Sequence, residues 1–478
     1  MGLTKSKIVK IISYLLLLVV YMAGSFTEVY NIGLFAVIGV FLYNIIENLI
    51  RKERSMFYIL FHAFIFLFIL DRPIISLLRG DVWWYFKSNT VFVTLFILLL
   101  SMMCLNFGFY WKGRTEKEKK TAVGSMIEKI NLLINNKVRR TLFVGTLITL
   151  IASLYKEGVT FLQSYGNYAD RYLGLSVKVP FYISILAGMA VYFVIGYLAT
   201  MPRKWCSIVV LGIYLVTGIP GLVSGGRNAF MIKALFCFLY FLFRECYEKN
   251  GKWIGKKEII AVVLLIPIAI IGLGIMNYTR AGVGVEKTSM FAIAEDFFYK
   301  QGTSFDTLCQ TVEYRNVLRD DNYVNYTFGE LYDFVFYNGI SNKILGTIDF
   351  GEGNNIYSGT VSNNLAHRVS YIVLGNSYLT GHGRGTTYFS EIYLDFGYLG
   401  LIIFNLLIGL FISKMSEWFQ KGIVQRILVL NCVLYFYMIP RLSFFSIFNY
   451  TINYYFWMFV VLLLIFIFVF RKKGTEKL

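Results

Sequence analysis

The sequence predicts an all-α polytopic membrane protein with about twelve transmembrane helices and one large extracytoplasmic loop between spans nine and ten. Of the 478 residues, 57% are hydrophobic and only 15% are charged, whereas soluble globular chains have roughly 25% charged residues. The apolar residues form blocks about as long as a bilayer core requires, and the charges fall between these blocks. A soluble fold could not cover so much apolar surface.

Twelve apolar segments are predicted to span the membrane, and the shorter ones need tilt or local thinning of the bilayer. They are residues 8–22, 31–50, 56–75, 90–110, 140–155, 181–200, 206–222, 229–243, 259–276, 391–412, 423–440 and 452–470. The predicted division is 1–276 for spans one to nine, 277–390 for the large loop, 391–470 for spans ten to twelve, and 471–478 for a cytoplasmic tail.

The basic residues orient the chain. The net charge is +18, from 46 Lys and Arg against 28 Asp and Glu. With the N-terminus inside, and with residues at the ends of spans counted with the adjoining segment, 28 basic residues belong to cytoplasmic segments and 8 to the short outer segments. Because short cytoplasmic loops retain Lys and Arg, both termini are predicted to be cytoplasmic. The basic excess therefore reflects topology, and the large loop, with more acids than bases, gives no support for a nucleic-acid partner.

Several classes of protein are disfavoured by missing patterns. The sequence contains neither CxxC nor HExxH spacing, so no metal site is predicted. A phosphate-binding Walker loop is also missing, which disfavours an ATP-driven pump. No internal repeat is visible, which weighs against a secondary transporter. His62 is interpreted as a hydrogen-bonded packing residue, and Asp71 with Arg72 as a local ion pair at the interface.

The large loop does not resemble a linker. Apolar residues recur at helical spacing between 291 and 337, which predicts amphipathic helices on the bilayer surface or over the bundle. Residues 351–390 are rich in Gly, Ser and Asn, which predicts irregular backbone that allows close approach to a ligand. The loop also contains many tyrosines, whose faces suit sugar rings.

Two arginines beside predicted spans are candidate anion contacts. Arg227 follows Ser224-Gly225-Gly226 at the predicted start of a helix, where backbone N–H groups and a guanidinium form an anion site. Arg280 follows span nine at the predicted outer surface. For both, anchoring to lipid headgroups is the alternative interpretation.

The richest motif runs from Leu379 to Gly400, LTGHGRGTTYFSEIYLDFGYLG. A Gly-rich turn presents His382 and Arg384, and a helix follows whose first turns contain Glu391 and Asp395. These carboxylates are four residues apart and share one helix face at the membrane entrance. Ionisable groups at that depth are functional candidates, although acids near a helix N-terminus also interact favourably with the helix dipole.

The chain resembles the bacterial oligosaccharide repeat-unit polymerases of the Wzy, or O-antigen polymerase, type. The resemblance lies in SGGRN before a span, the large late outer loop, and GHGRGTTYFSEIYLDFGYLG leading into the next span. The Thr386-Thr387 pair, Glu391 and the run Asp395-Phe396-Gly397 match best.

The resemblance implies a metal-independent membrane glycosyltransferase without a cofactor. It would polymerise undecaprenyl-diphosphate-linked repeat units on the outer face of the bacterial inner membrane, for a capsular, exo- or O-antigen polysaccharide. Its implied partners are lipid-linked oligosaccharides, membrane lipids, and the chain-length regulator and flippase of the same pathway. Arg227, Arg280 and Arg384 would contact diphosphate oxygens, and His382 or Glu391 would act as the general base.

Two alternatives stay open. An O-antigen-ligase-type transferase would share the layout and the chemistry but use a different acceptor. A lipid-linked oligosaccharide flippase would line a central cavity with charges and would need no large outer loop. Few charges lie inside the predicted spans, with Lys233 the clearest, which favours the enzyme.

Overall fold

The computed structural model describes residues 5–50, 55–80, 85–111, 135–163, 179–224, 226–248, 253–280, 289–320, 323–351 and 353–470. Within these ranges the regular structure is helical and no β-strand occurs. Nine helices of the described chain are long and apolar enough to cross a bilayer, or ten if one bent pair forms a single span. The chain is therefore a multi-pass membrane protein, as predicted.

The helix bounds locate these candidate spans. They are Ile8–Thr27, Tyr30–Ile50, Met56–Arg79, Ser88–Phe109, Asn136–Gln163, Phe181–Ala199, Lys204–Val223, Lys256–Met276 and Tyr388–Lys421. Other helices are Arg227–Tyr247, Met290–Gln301, Thr303–Glu313, Arg315–Leu318, Gly329–Phe336, Gly339–Leu345, Ile356–Thr360, Leu365–Leu374, Asn376–Leu379, Ile423–Phe436, Asn449–Ile452 and Tyr454–Val469.

Three of the twelve predicted spans are not confirmed as single transmembrane helices. The helix Arg227–Tyr247 has the length of a span, but it contains four charged residues. Ile423–Phe436 has only 14 residues, which at 1.5 Å per residue is shorter than a hydrocarbon core of about 30 Å. The last predicted span follows a 46° bend between Phe444–Ile452 and Tyr454–Val469.

The chain separates into two compact units built from discontinuous segments. The first unit contains Met1–Trp111, Glu286–Lys414 and Tyr437–Ser446, and the second contains Lys112–Val285, Met415–Phe436 and Ile447–Leu478. The two units are defined by contacts within the chain, and they do not show on which side of a membrane a segment lies. The division at 276, 390 and 470 therefore stays a prediction.

A buried polar network connects the first four spans of the first unit. Lys10 Nζ lies 2.9 Å from the Glu47 carboxylate and donates to Asn106 Oδ1 at 2.6 Å. Asn106 Nδ2 in turn donates to Asn44 Oδ1 at 2.7 Å, and Asn44 Nδ2 lies 3.3 Å from His62 Nε2. We call these five residues the span network. The interpretation of His62 as a hydrogen-bonded packing residue is confirmed.

The third span changes its helical type just before Asp71. Phe66–Leu70 form a single π-helical turn, and the α-helix resumes at Asp71 and ends at Arg79, followed by Gly80 with φ 72°. Single π-helical turns occur frequently at functional sites. One extra residue in a turn rotates the following side chains by roughly 100° around the helix axis, so this turn sets the direction of Asp71 and its successors.

The region of the predicted loop is largely helical. Helices occur where the apolar spacing from 291 to 337 predicts them, as Met290–Gln301, Thr303–Glu313 and Gly329–Phe336. The prediction of irregular backbone throughout 351–390 is wrong, because Leu365–Leu374 forms a helix of ten residues.

The residues that suggested irregular backbone instead bound this helix. The Asn364 side chain accepts a hydrogen bond from the backbone N–H of Ala366 and caps the N-terminus. Gly375, at the C-terminus, has φ 54°, a conformation that other residues rarely adopt. Asn and Gly in this stretch therefore begin and end short helices.

Close helix packing defines the second unit. Asn136–Gln163 and Phe181–Ala199 run along each other, and Thr146 Oγ1 donates to the backbone carbonyl of Phe193 at 3.0 Å. A side chain at Gly145 would collide with the Phe193 ring. A small residue here allows the close approach typical of membrane helices.

Two predicted segments fall outside the described residues. They are residues 112–134, which belong to the predicted cytoplasmic segment between spans four and five, and the predicted tail 471–478.

Candidate functional site

The Gly-rich turn is fixed through its backbone. The N–H of Arg384 donates to Ser370 Oγ at 2.9 Å, and its carbonyl accepts from Thr307 Oγ1 at 3.5 Å. Asn354 Nδ2 donates to the carbonyl of His382 at 2.9 Å. Gly385 has φ 79°, so the turn uses a conformation that suits glycine. Two helices and the bend before Ile356–Thr360 therefore hold the backbone that presents the Arg384 side chain.

Arg384 lies beside an ion pair that connects two distant helices. Arg72 Nη2 lies 3.0 Å from Asp306 Oδ2, and both side chains are largely buried. The Arg72 guanidinium also stacks over the Tyr299 ring, 4.4 Å from its centroid, and donates to the Tyr299 carbonyl at 3.3 Å. Arg384 interacts electrostatically with the same Asp306. We call Arg72, Asp306 and Arg384 the arginine cluster.

Asp306 faces several partners in this cluster, whereas Arg384 has a donor without one in the described part of the chain. Burial raises the pKa of Asp306, while Arg72, the Tyr85 hydroxyl and Arg384 act in the opposite direction. Within the described residues, the buried Nε of Arg384 has no hydrogen-bond partner. Buried donors of this kind are rare in proteins. A guanidinium with unused donors beside a Gly-rich turn is suited to bind an oxyanion.

A third arginine approaches from the segment before the last helices of the chain. Arg441 Nη1 donates to the side chain of Gln301, and its guanidinium lies 5.4 Å from the centroid of the Phe68 ring. Arg441 and Arg72 both interact electrostatically with Asp71, which is only 1% exposed. Three arginines thus surround two buried aspartates.

The predicted ion pair between Asp71 and Arg72 is wrong. Arg72 pairs with Asp306 instead. Neither carboxylate oxygen of Asp71 has a hydrogen-bond partner within the described residues. Adjacent residues on a helix point about 100° apart, so Arg72 reaches Asp306 and interacts with Asp71 without forming an ion pair with it.

Glu391 is fully buried, and both of its carboxylate oxygens accept hydrogen bonds. Oε1 accepts from Thr386 Oγ1 at 3.2 Å, and Oε2 accepts from Ser443 Oγ at 3.1 Å and from the N–H of Phe444 at 2.8 Å. The carboxylate therefore joins the end of the Gly-rich turn to the segment that contains Arg441. This geometry suits a positioning role.

His382 is exposed at the tip of the turn. Its Nδ1 lies 3.2 Å from both Thr380 Oγ1 and the carbonyl of Ser377. No hydrogen bond of Nε2 occurs within the described chain. The ring is thus held on one side, and the other nitrogen is accessible to a substrate.

Asp395, on the same helix as Glu391, anchors the chain near residue 326. Its carboxylate accepts from the Tyr323 hydroxyl at 2.7 Å and from the backbone N–H groups of Tyr326 and Thr327 at 3.0 and 2.6 Å. Two residues later the helix breaks at Gly397, with φ 61° and ψ −152°. The Asp395-Phe396-Gly397 run thus combines an anchor with a kink.

The other two predicted arginines belong to the second unit. Arg227 is the first residue of its helix, as predicted, and its Nη1 donates to the carbonyl of Leu273 at 3.3 Å. Arg280 is the last residue of the helix Lys256–Arg280, and its side chain lies outside the described part of the chain. The first unit contains His382, Arg384 and Glu391. The assignment of all five residues to a site remains a prediction.

Sequence reasoning missed Arg72 and Asp306 as members of the arginine cluster, and it missed Arg441 beside it. A signal for two of them existed. Arg441 is one of the few basic residues in short segments on the predicted outer side, where the charge bias disfavours it. Arg72 lies at the outer end of predicted span three, where a charged residue is equally unexpected. Asp306 gave no such signal, because its partner is distant in the sequence. No group of three or more metal-binding side chains occurs among the described residues.

The model of one protein family matches almost the whole chain. The family is described as O-antigen polysaccharide polymerase Wzy, and the match covers residues 9–474. No curated protein and no solved structure matches the chain significantly. The chain belongs to the Wzy family, and it is an O-antigen repeat-unit polymerase that acts on lipid-linked oligosaccharides in a membrane.

Proposed function

We propose that this member of the Wzy family transfers a growing glycan from an undecaprenyl diphosphate carrier to a hydroxyl group of one lipid-linked repeat unit. The arginine cluster is the observation on which this proposal depends. Diphosphate is the leaving group, and its developing charge requires fixed donors in a site shielded from water. The partly buried guanidinium groups of Arg72 and Arg384 meet that requirement.

We assign the diphosphate contacts to Arg384 and Arg72, with Arg441 beside them. The unused Nε of Arg384 supports this assignment, since a phosphate oxygen would satisfy it. Arg227 and Arg280 in the second unit are retained as contacts to a second diphosphate, because donor and acceptor both carry one. Guanidinium groups remain charged at all physiological pH values, so they can stabilise the negative charge of diphosphate by themselves. We therefore propose a reaction without a metal ion.

The transfer needs one proton acceptor. The acceptor hydroxyl oxygen attacks the anomeric carbon, the bond from that carbon to diphosphate breaks, and the hydroxyl proton passes to a general base. His382 and Glu391 are the candidates. The accessible Nε2 of His382 favours this residue, whereas both oxygens of Glu391 are already engaged by Thr386, Ser443 and Phe444.

The reaction is proposed for the outer face of the bacterial inner membrane, with both chain termini in the cytoplasm. The distribution of Lys and Arg supports this orientation. Two exposed lysines form a matched test, Lys343 in the predicted outer loop and Lys421 in a predicted cytoplasmic segment. In intact cells, an impermeant thiol reagent should label Lys343→Cys above the wild-type background and leave Lys421→Cys unlabelled. The reverse result would invert the topology and remove the site.

Deletion of the gene tests polymerisation against the two alternatives. A polymerase mutant should display single repeat units at the outer face, still linked to lipid or to their final acceptor. Single units confined to the inner face would identify a flippase. Long glycans that remain on their lipid carrier would identify a ligase-type transferase.

A further inference from the structure

Tyr85 joins the arginine cluster through its hydroxyl group. It lies in the first unit, between the helices Met56–Arg79 and Ser88–Phe109. The hydroxyl hydrogen-bonds with the Asp306 carboxylate and with Arg72. Desolvation of the hydroxyl raises the pKa of Tyr85, and the Asp306 charge acts in the same direction, so the group stays protonated and donates to Asp306. Tyr85 is therefore anchored at the site assigned to diphosphate.

The ring of Tyr85 is accessible although its hydroxyl is engaged. The residue is 62% exposed, whereas the side chains of Arg72 and Asp306 are largely buried. The ring centroid lies 4.6 Å from that of Phe86, which is only 8% exposed. The ring is thus held by its hydroxyl and by Phe86, and most of its surface stays open. An aromatic surface that is already fixed binds a ligand at little cost in side-chain entropy.

A second tyrosine at the cluster is arranged differently. The guanidinium groups of Arg72 and Arg79 lie over the Tyr299 ring, 4.4 and 4.7 Å from its centroid. Cations are attracted to the negative face of an aromatic ring, so the Tyr299 ring is engaged within the protein. Of these two tyrosines, Tyr85 is the one whose ring can receive a ligand.

The chemistry of the proposed substrate brings a sugar to this position. The first sugar of a lipid-linked oligosaccharide is bonded to the diphosphate, so it lies next to the side chains that bind phosphate oxygens. The C–H groups on the face of a sugar ring carry a partial positive charge, which is attracted to the negative face of an aromatic ring. An anchored tyrosine beside a phosphate site therefore fits the sugar at this junction, and the carrier lipid alone has no ring for it.

Exposed tyrosines near the end of a span have another common role. Tyr and Trp are enriched where the membrane meets water, because their amphipathic rings lie among the headgroups. A residue in that role needs no partner inside the protein. The hydrogen bonds of the Tyr85 hydroxyl to two charged side chains favour a role at the arginine cluster over headgroup anchoring.

We propose that Tyr85 is a specificity-determining residue, whose ring stacks against the sugar bonded to the diphosphate of a lipid-linked repeat unit. The proposal rests on the proposed function and adds a sugar contact to the diphosphate site of Arg72 and Arg384. The arginines bind any diphosphate lipid, and Tyr85 favours a glycosylated one. The hydroxyl keeps the ring in place and is not itself the sugar contact.

The test compares two lipids on the full-length protein in lipid nanodiscs. One is undecaprenyl diphosphate, and the other is the glycosylated lipid extracted from cells that lack the gene. Wild type should bind the glycosylated lipid more tightly. Tyr85→Leu should reduce this preference by roughly threefold to tenfold, the usual value of one aromatic contact. Tyr85→Phe lacks the same hydroxyl but keeps the ring, and it should retain the preference to within about twofold.

Two further variants control for effects on folding and on the membrane interface. Tyr85→Gln can still donate to Asp306 but has no ring, so it should lose the preference as Tyr85→Leu does, even if the leucine variant is unstable. Tyr182→Leu is the matched control, because Tyr182 is 66% exposed, lies at the predicted outer end of a span and belongs to the second unit. It should keep the wild-type preference.

Each other outcome overturns a defined part of the proposal. Equal binding of the two lipids by wild type would exclude the sugar contact and leave the diphosphate site intact. An equal loss of preference in Tyr85→Phe and Tyr85→Leu would assign the effect to the hydroxyl and overturn the role of the ring. The same loss in Tyr182→Leu would make Tyr85 an interfacial residue without specificity. If neither lipid binds to wild type, the proposed function fails and the sugar contact fails with it.

Discussion

The first unit contains two buried charged regions that differ in how their polar groups are satisfied. In the span network, none of the buried side-chain nitrogen or oxygen atoms lacks a partner within the described chain. Around the arginine cluster, both oxygens of Asp71 and the Nε of Arg384 have none. A fully satisfied network rigidifies a membrane bundle, whereas unused donors and acceptors indicate where a ligand completes the structure. We therefore expect mutations in the span network to reduce stability and mutations around the cluster to reduce activity.

The general base should give the largest effect. His382→Ala should lower the rate of polymer formation by about 10²–10⁴-fold and leave thermal stability unchanged, because His382 is exposed. Glu391→Gln should instead lower the unfolding temperature, since the carboxylate accepts from Ser443 and Phe444. Glycan chain length at matched membrane abundance and thermal unfolding of the purified protein measure the two effects. Normal polymer from both variants would exclude both residues as the base.

The next largest effect is expected from breaking the ion pair in the span network. Lys10→Met alone should destabilise the protein by about 3–5 kcal/mol, because it removes the cation beside the buried Glu47 carboxylate. The double variant Lys10→Met and Glu47→Leu should recover a large part of this loss, since neither charge remains. Unfolding in detergent measures both. If Lys10→Met were as stable as wild type, the span network would not have the structural role that distinguishes it from the arginine cluster.

Replacement of Arg384 should impair activity without unfolding the protein. Arg384→Ala should lower the polymerisation rate by about 10²–10³-fold, the usual cost of losing one donor to developing charge. Its unfolding temperature should stay close to wild type, because the turn is held through the backbone of Arg384. Arg203→Ala, at an exposed arginine, is the matched control. A large loss of stability in Arg384→Ala would show that Arg384 stabilises the fold, as the span network does, and would contradict its assignment to the site.

The membrane class and the main motif could be predicted from the sequence. Apolar blocks of sufficient length specify spans, because the bilayer core imposes the same requirement on every helix. The Gly-rich turn with His382 and Arg384 was also visible, since glycine at positive φ leaves a compositional signal. Local patterns of this kind need no information from distant residues.

The pairing within the cluster could not be predicted in this way. Asp71 and Arg72 are neighbours in sequence, which suggested an ion pair, but Arg72 binds Asp306 on a helix far along the chain. The residue types give no sign of this choice, which depends on how the third span packs against Thr303–Glu313. The π-helical turn before Asp71 has no clear sequence signal either, yet it rotates both side chains.

A smaller effect is expected from filling the space beside Asp71. Gly302→Ala should destabilise the protein by about 1–3 kcal/mol, because the new Cβ atom meets the Asp71 carboxylate and the Arg72 backbone. Activity should fall as well, since both residues adjoin the proposed site. Gly272→Ala, in a helix position with open space, should change stability by less than about 1 kcal/mol. Equal effects of the two substitutions would contradict the close packing at Gly302.

The smallest effect is expected from a change of geometry at Arg227. Its guanidinium already donates to the carbonyl of Leu273, so a diphosphate would share the group with the protein. Arg227→Lys keeps the charge but loses the planar fork, and the expected loss of activity is roughly 2–10-fold, the value of about one hydrogen bond. Arg384→Lys, measured beside it at matched abundance, should lose more because its Nε is unused. Wild-type chain length from Arg227→Lys would make Arg227 a packing residue, and a greater loss than in Arg384→Lys would reverse the order of the two arginines.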